Sequence, residues 1–197
     1  MRSPLDVPRR LATAALVAVA LVALDGSTIG AQSASATESA VALRQTFVAE
    51  LDSMQGRFLA LAEAIPADKY AWRPGPGVRS IGEVFMHVAS EYYVYTPMAY
   101  GVAPSPVVGR GREAFQKFEA TADKETVLKH LREGFAFTKQ SIGAIEPATL
   151  ASQRKLFGQD GLTLTQTSFS MAGDLHEHMG QLVAYARMNG IKPPWSK

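Results

Sequence analysis

Leu43, Phe47, Leu51, Met54, Phe58 and Leu61 recur at steps of three and four, so a helix through them carries one apolar stripe. Such a helix must cover that stripe with other elements. Three later segments make the same demand. Ile81, Val84, Phe85, Val88, Tyr92 and Tyr95 form a second stripe, and Val127, Leu131, Phe135, Thr138, Ile142 and Ile145 a third. The fourth segment, from about Thr165 to Asn189, turns Leu175, Met179, Leu182 and Ala186 inward. No segment alternates with the period of two that a sheet of any size requires. A chain of 197 residues suits one domain. The prediction is an all-α fold, a four-helix bundle with long crossover connections.

Capping and breaking residues place the ends. The first helix is predicted over Thr37 to Ile65, capped by Thr37 or Ser39 and stopped by Pro66. The stretch "PADKYAWRPGPGVRS" that follows is too rich in proline and glycine for a helix. Ser80, with Glu83 three residues on, reads as a capping box. Pro97 is expected to kink or end the second helix. Residues 101–120 read as a crossover with a short helical turn. Thr121 or Asp123 opens the third helix, and Pro147 follows its end. Residues 148–164 contain a Gln-Asp-Gly turn that suits a small hairpin. Gly190 stands where a helix end favours a left-handed residue, and Pro193-Pro194 prevents continuation.

The first 31 residues read differently. Arg2, Arg9 and Arg10 make a basic leader, Leu11 to Leu24 is apolar, and small residues follow. This is the three-part pattern of a secretory signal peptide, with cleavage expected after Ala31 and Ala36 as second choice. The apolar run falls short of the ~20 residues of a membrane span, so no stable span is expected after cleavage. The division is then signal peptide 1–31, linker 32–37 and bundle domain 38–197, with the protein exported to the periplasm or secreted.

Composition narrows the chemistry. There is no cysteine, so disulfides, thiolate nucleophiles and Cys-based metal sites are excluded. Any metal must be held by His, carboxylates, carbonyls or water. A net charge of +2, without basic clusters interleaved with aromatics, argues against a nucleic-acid partner. A small molecule and a second copy of the chain remain as partners.

Asp174 and His178 lie four apart, one turn of one helix face, and Gln181 and Tyr185 continue that face. A carboxylate and an imidazole one turn apart can bind one ion from a single helix. His176 is about 200° around the helix from Asp174 and faces away. His87 lies near the apolar face of the second helix. If the second and fourth helices adjoin, His87, Asp174 and His178 give two imidazoles and a carboxylate with open positions, a set suited to Zn, Ni, Fe or Mn. Glu91, one turn beyond His87, would either hydrogen-bond a ligand and hold it in place or serve as a fourth ligand itself. His130 falls off the Val127–Leu131 stripe and reads as a surface residue. The bland alternative is a set of hydrogen-bonded core-edge residues that bind no metal.

"WRPGPGVRSIGEVFMHVASEYY" and "HEHMGQLVAYARMNGIKPPW" resemble the two motif-bearing helices of the DinB-like (YfiT-like) metalloprotein family. The resemblance runs over about residues 38–196. It implies a four-helix bundle whose metal is held by a histidine of the second helix and a His-x-x-x-His pair on the last. His87 takes the first place and His178 the last. Asp174 stands where the family usually has histidine; maleylpyruvate-isomerase-type relatives are similar to this chain in having a carboxylate at the position, and a carboxylate implies a harder, looser-bound divalent ion. The activity implied is metal-dependent thiol transfer or isomerisation, with hydrolysis as the variant suited to an exported protein. Gln181, Tyr185 and Tyr92 are then candidates to hydrogen-bond substrate or ligand, and Arg73 and Arg187 to bind an anion. The alternative is a non-catalytic ligand- or partner-binding bundle with a structural or degenerate metal site.

Overall fold

The computed structural model describes residues 14–156 and 158–196. Among the described residues, six α-helices and one hairpin follow in order: α1 (Ala14–Ala64), α2 (Ile81–Tyr100), α3 (Gly111–Ala120), α4 (Lys124–Gly143), α5 (Pro147–Leu150), β1 (Arg154–Leu156), β2 (Gln159–Leu162) and α6 (Leu164–Met188), with a single 3-10 turn at Ala67–Lys69 between α1 and α2. The four long helices surround one core. α1 and α2 each pack against both α4 and α6, so α1 lies diagonally across from α2. Phe58 of α1 reaches across that diagonal to Phe85 of α2 and also meets Phe135 of α4, with ring centroids 6.4 and 6.0 Å away. All three are fully buried.

The predicted stripes are the faces that fill this core. Phe47, Leu51, Met54, Phe58 and Leu61 are buried and Leu43 is packed against them. Each helix start has a local cause. Ser80 and Glu83 form the expected capping box at α2, Asp123 caps α4 through the Thr126 amide, and Thr163 with Gln166 caps α6. The loop before α2 is tied to it: the amides of Ile81 and Gly82 donate to the carbonyls of Trp72 and Tyr70 at 3.0 and 2.9 Å. A side chain at Gly82 would place its Cβ 2.2 Å from the Ala122 carbonyl oxygen, so only glycine permits this approach.

Four boundaries differ from expectation. α1 begins at Ala14, not near Thr37. No proline interrupts residues 14–65, and the stretch is rich in strong helix formers that Gly26 and Gly30 do not outweigh. Burial begins later: Gln32 to Ala36 are exposed and Ala40 is the first buried residue after them. The basic leader and the start of the apolar run lie outside the described residues. Among the described residues, no helix is long and apolar enough to cross a membrane. α2 continues one turn past Pro97 and closes on Gly101 in the left-handed region, φ 67°. The expected helical turn in the crossover is a ten-residue helix, α3, packed on α2. The expected hairpin forms, with β1 antiparallel to β2, but Gln159, Asp160 and Gly161 lie in its second strand and not in its turn.

Candidate metal centre

α2 and α6 adjoin, and their polar positions meet. His87 and Glu91, one turn apart on α2, face His178 on α6. His87 Nε2 is 3.0 Å from Glu91 Oε1, and His178 Nε2 is 3.8 Å from Glu91 Oε2. The two imidazoles meet edge to face, with centroids 4.9 Å apart. One donor atom from each of His87, Glu91 and His178 lies within 4.8 Å of the others. Their side chains are only 12, 9 and 13 % exposed. Asp174 Oδ1 stands beside the trio, 3.6 Å from His178 Nε2.

The outer nitrogens of both rings are committed elsewhere. His87 Nδ1 donates to Glu119 of α3, which Arg79 holds through two contacts of 3.2 and 3.4 Å. His178 Nδ1 lies 3.2 Å from Gln181 Oε1, while Gln181 Nε2 donates to Tyr185 Oη at 3.0 Å. Tyr185 rests edge-on against Trp72. With Nδ1 donating on each ring, the neutral form of each imidazole would present its Nε2 lone pair to the shared site, the arrangement that orients imidazole ligands.

These donors fit a divalent ion. Bonds of about 2.0–2.2 Å to a tetrahedral ion place its donors about 3.3–3.6 Å apart. The separations of 3.0, 3.6 and 3.8 Å straddle that range, and the trio's donors lie within 4.8 Å of one another, so a bound ion would draw them slightly together. A second observation agrees. Glu91, Asp174, Tyr92, Tyr95 and Met171 line a cavity of about 10 Å³, room for one water-sized species. The Tyr92 hydroxyl beside it is buried and has no hydrogen-bond partner among the described residues.

The electrostatics are strongly coupled. Burial alone works against a charged His87, yet hydrogen bonds to Glu119 and Glu91 outweigh it and push the ring up to about 9. Burial raises Glu91, assisted by the neighbouring Asp174 and opposed by His87. Glu119 is held below the usual carboxylate range because His87 and Arg79 outweigh its burial.

His87, Asp174 and His178 are therefore brought to one place, with Glu91 inside the compact trio and Asp174 at its edge. Gln181 and Tyr185 stand behind His178. His176 points away and pairs with Glu50 of α1 at 2.8 Å. His130 corrects the surface reading: its ring is wedged between Phe118 and Tyr93, and burial lowers its pKa. Arg73 is engaged with Glu83 and the Val78 carbonyl. Glu119 was missed, although an acid one turn after Phe115 on an amphipathic ten-residue segment is a faint signal. Replacing Glu119 with alanine is expected to weaken divalent-ion binding about 10–100-fold at about pH 9, read by chelator competition. Equal affinity there would mean that Glu119 does not orient His87.

Residues 50–182 match the family model of the DinB superfamily, and the chain belongs to that superfamily. A DinB-like protein from Bacillus subtilis has a similar structure, with TM-score 0.55 and 18 % identity, over 74 % of this chain and 92 % of that one. A DinB-like protein from Bacillus cereus gives TM-score 0.55 and 13 % identity, over 78 % and 94 %. At these identities the likeness is one of fold. No curated protein matches the chain.

Proposed function

We propose that this DinB-like protein binds a divalent metal through His87, Glu91 and His178, with Asp174 as an adjoining carboxylate, and uses it in thiol transfer or hydrolysis. The convergence of both Nε2 atoms on Glu91 carries the reading. A bound ion would supply Lewis acidity, lowering the pKa of a thiol or water at the site. The protein's own groups would do the rest. Glu119 and Gln181 fix the two rings, Arg79 steadies Glu119, and the low exposure of the trio limits bulk water. Asp174, 31 % exposed and facing the small cavity, is placed to accept the proton of the reacting thiol or water. The basic leader and apolar run support export, where hydrolysis suits the scarcity of cytosolic thiols better than thiol transfer does.

The tight enclosure of the trio supports a second reading, an ion held for stability alone. Protein prepared without chelator or histidine tag is expected to hold about one Zn, Ni, Fe or Mn per chain by elemental analysis. It is expected to turn over a thiol acceptor or a hydrolysable ester, losing that activity to chelator and regaining it with the ion. Metal without turnover across the screen would favour the stabilising role, and no metal even after addition would mark the site as degenerate.

A further inference from the structure

Val94 lies three residues after Glu91 and seven after His87, so all three share one face of α2. Along the helix axis Val94 is about 4.5 Å beyond Glu91 and about 10 Å beyond His87. A second cavity opens there, about 430 Å³, the size of small-molecule sites. Its apolar walls are Val94, Val108 and Phe115, and the segment Gly109–Arg112, which leads into the first turn of α3, forms its rim. Phe115 is the shared wall between cavity and metal centre, for its ring also meets His87 edge to face at 5.9 Å.

The rim carries two guanidinium groups. Arg110 and Arg112 are exposed, and neither makes a hydrogen bond or ion pair among the described residues. Arg73, Arg79 and Arg132, by contrast, are each paired with a glutamate. Gly109 and Gly111, at φ 81° and 84°, turn the rim sharply on both sides of Arg110. The nearest acid in sequence is Glu113, itself exposed and unpaired. The centre beyond Phe115 holds three carboxylates, Glu91, Asp174 and Glu119, so an anionic molecule needs a positive anchor outside it. Guanidinium groups match carboxylate and phosphate oxygens in pairs.

We propose that the cavity between Val94, Phe115 and the Arg110–Arg112 rim is an anchoring subsite for a small carboxylate- or phosphate-bearing substrate. Its anionic end sits on the two arginines, its apolar body lies over Val94, Val108 and Phe115, and its reactive end points along α2 towards Glu91. The identity of that reactive end rests on the metal-centre reading, while the anchor requires no ion.

The test is a titration of the isotope-labelled full chain with inorganic phosphate and, separately, succinate, followed by amide NMR and done first without metal. Saturable shifts at Gly109, Arg112 and Phe115 are expected, and the Arg110→Ala/Arg112→Ala double variant should bind at least about tenfold more weakly with unchanged circular dichroism. The tighter of the two anions tells whether the substrate class carries phosphate or carboxylate. No saturable shift with either, or equal affinity in the double variant, overturns the anchor. The same double variant should keep its full metal content, so anion binding lost with metal retained supports the anchor. Shifts without any metal uptake would leave the anchor standing and defeat only the metal reading. With Mn(II) loaded, the phosphorus signal of bound phosphate should relax faster in the wild type than in the double variant. No difference would separate the cavity from the centre and overturn the subsite.

Discussion

His178→Ala should leave the protein with less than about a tenth of the wild-type metal content, because the substitution removes a ligand and not only a group that orients one. The imidazole is one of two nitrogen donors aimed at Glu91, and its removal leaves His87 and a carboxylate from one helix face plus Asp174 from the other. Two groups on α2 cannot close an ion's coordination shell, and α6 would contribute only an edge carboxylate. The variant should still fold, since His178 lies at the margin of the core and its loss opens little buried volume. Two further substitutions sort the acids. Glu91→Gln should approach the His178→Ala loss because Glu91 lies between both rings, while Asp174→Asn should cost less. His176→Ala is the control: its ring pairs with Glu50 on the far side of α6 and should not affect metal content. Wild-type metal content in His178→Ala would sink the site assignment.

The distance over which each feature is encoded decided whether it could be read from sequence. Helix stripes repeat every three or four residues, so Phe58, Phe85 and Phe135 were legible as core before any contact was known. Asp174 with His178, and His87 with Glu91, were legible for the same reason, each pair being one turn apart. Whether α2 meets α6 is not a local property. It depends on the order of helices around the core, and only the family resemblance pointed to it. Glu119 is hard to read because α3 is too short for its stripe to stand out from a crossover. His130 is hidden for the same reason: the side of α4 that it occupies looks free until Phe118 of α3 and Tyr93 of α2 cover it. The start of α1 is not legible because the pattern expected of a processing signal is also that of a good helix. Alanine- and leucine-rich leaders are good helix formers whether or not they belong to the folded domain.

Glu119 both prepares His87 for an ion and holds a competing proton on it, and the pH dependence of binding should show both effects. The groups facing His87 are Glu91 on its own helix, Glu119 from α3, Arg79 from the preceding loop, and His178 with Asp174 from α6. Burial and Arg79 disfavour the charged ring, but the hydrogen bonds to Glu119 and Glu91 prevail and raise it to about 9. A raised value means that the ring stays protonated below about 9, so an ion taking Nε2 must expel that proton. Apparent affinity should therefore climb with pH, by about one decade per unit for each proton released, and level off above about 9. Between about pH 6 and pH 8 the gain should be about 100-fold. Chelator-competition titrations across this range measure the slope, and calorimetry in two buffers of different ionisation heat counts the proton directly. In Glu119→Gln the neutral amide no longer stabilises the imidazolium, so the climb should flatten at a lower pH. Its deficit against wild type should then be largest near pH 9 and shrink towards pH 6, as relief from the proton offsets the loss of orientation. A flat profile in the wild type, with no proton released, would mean that the ion does not use His87.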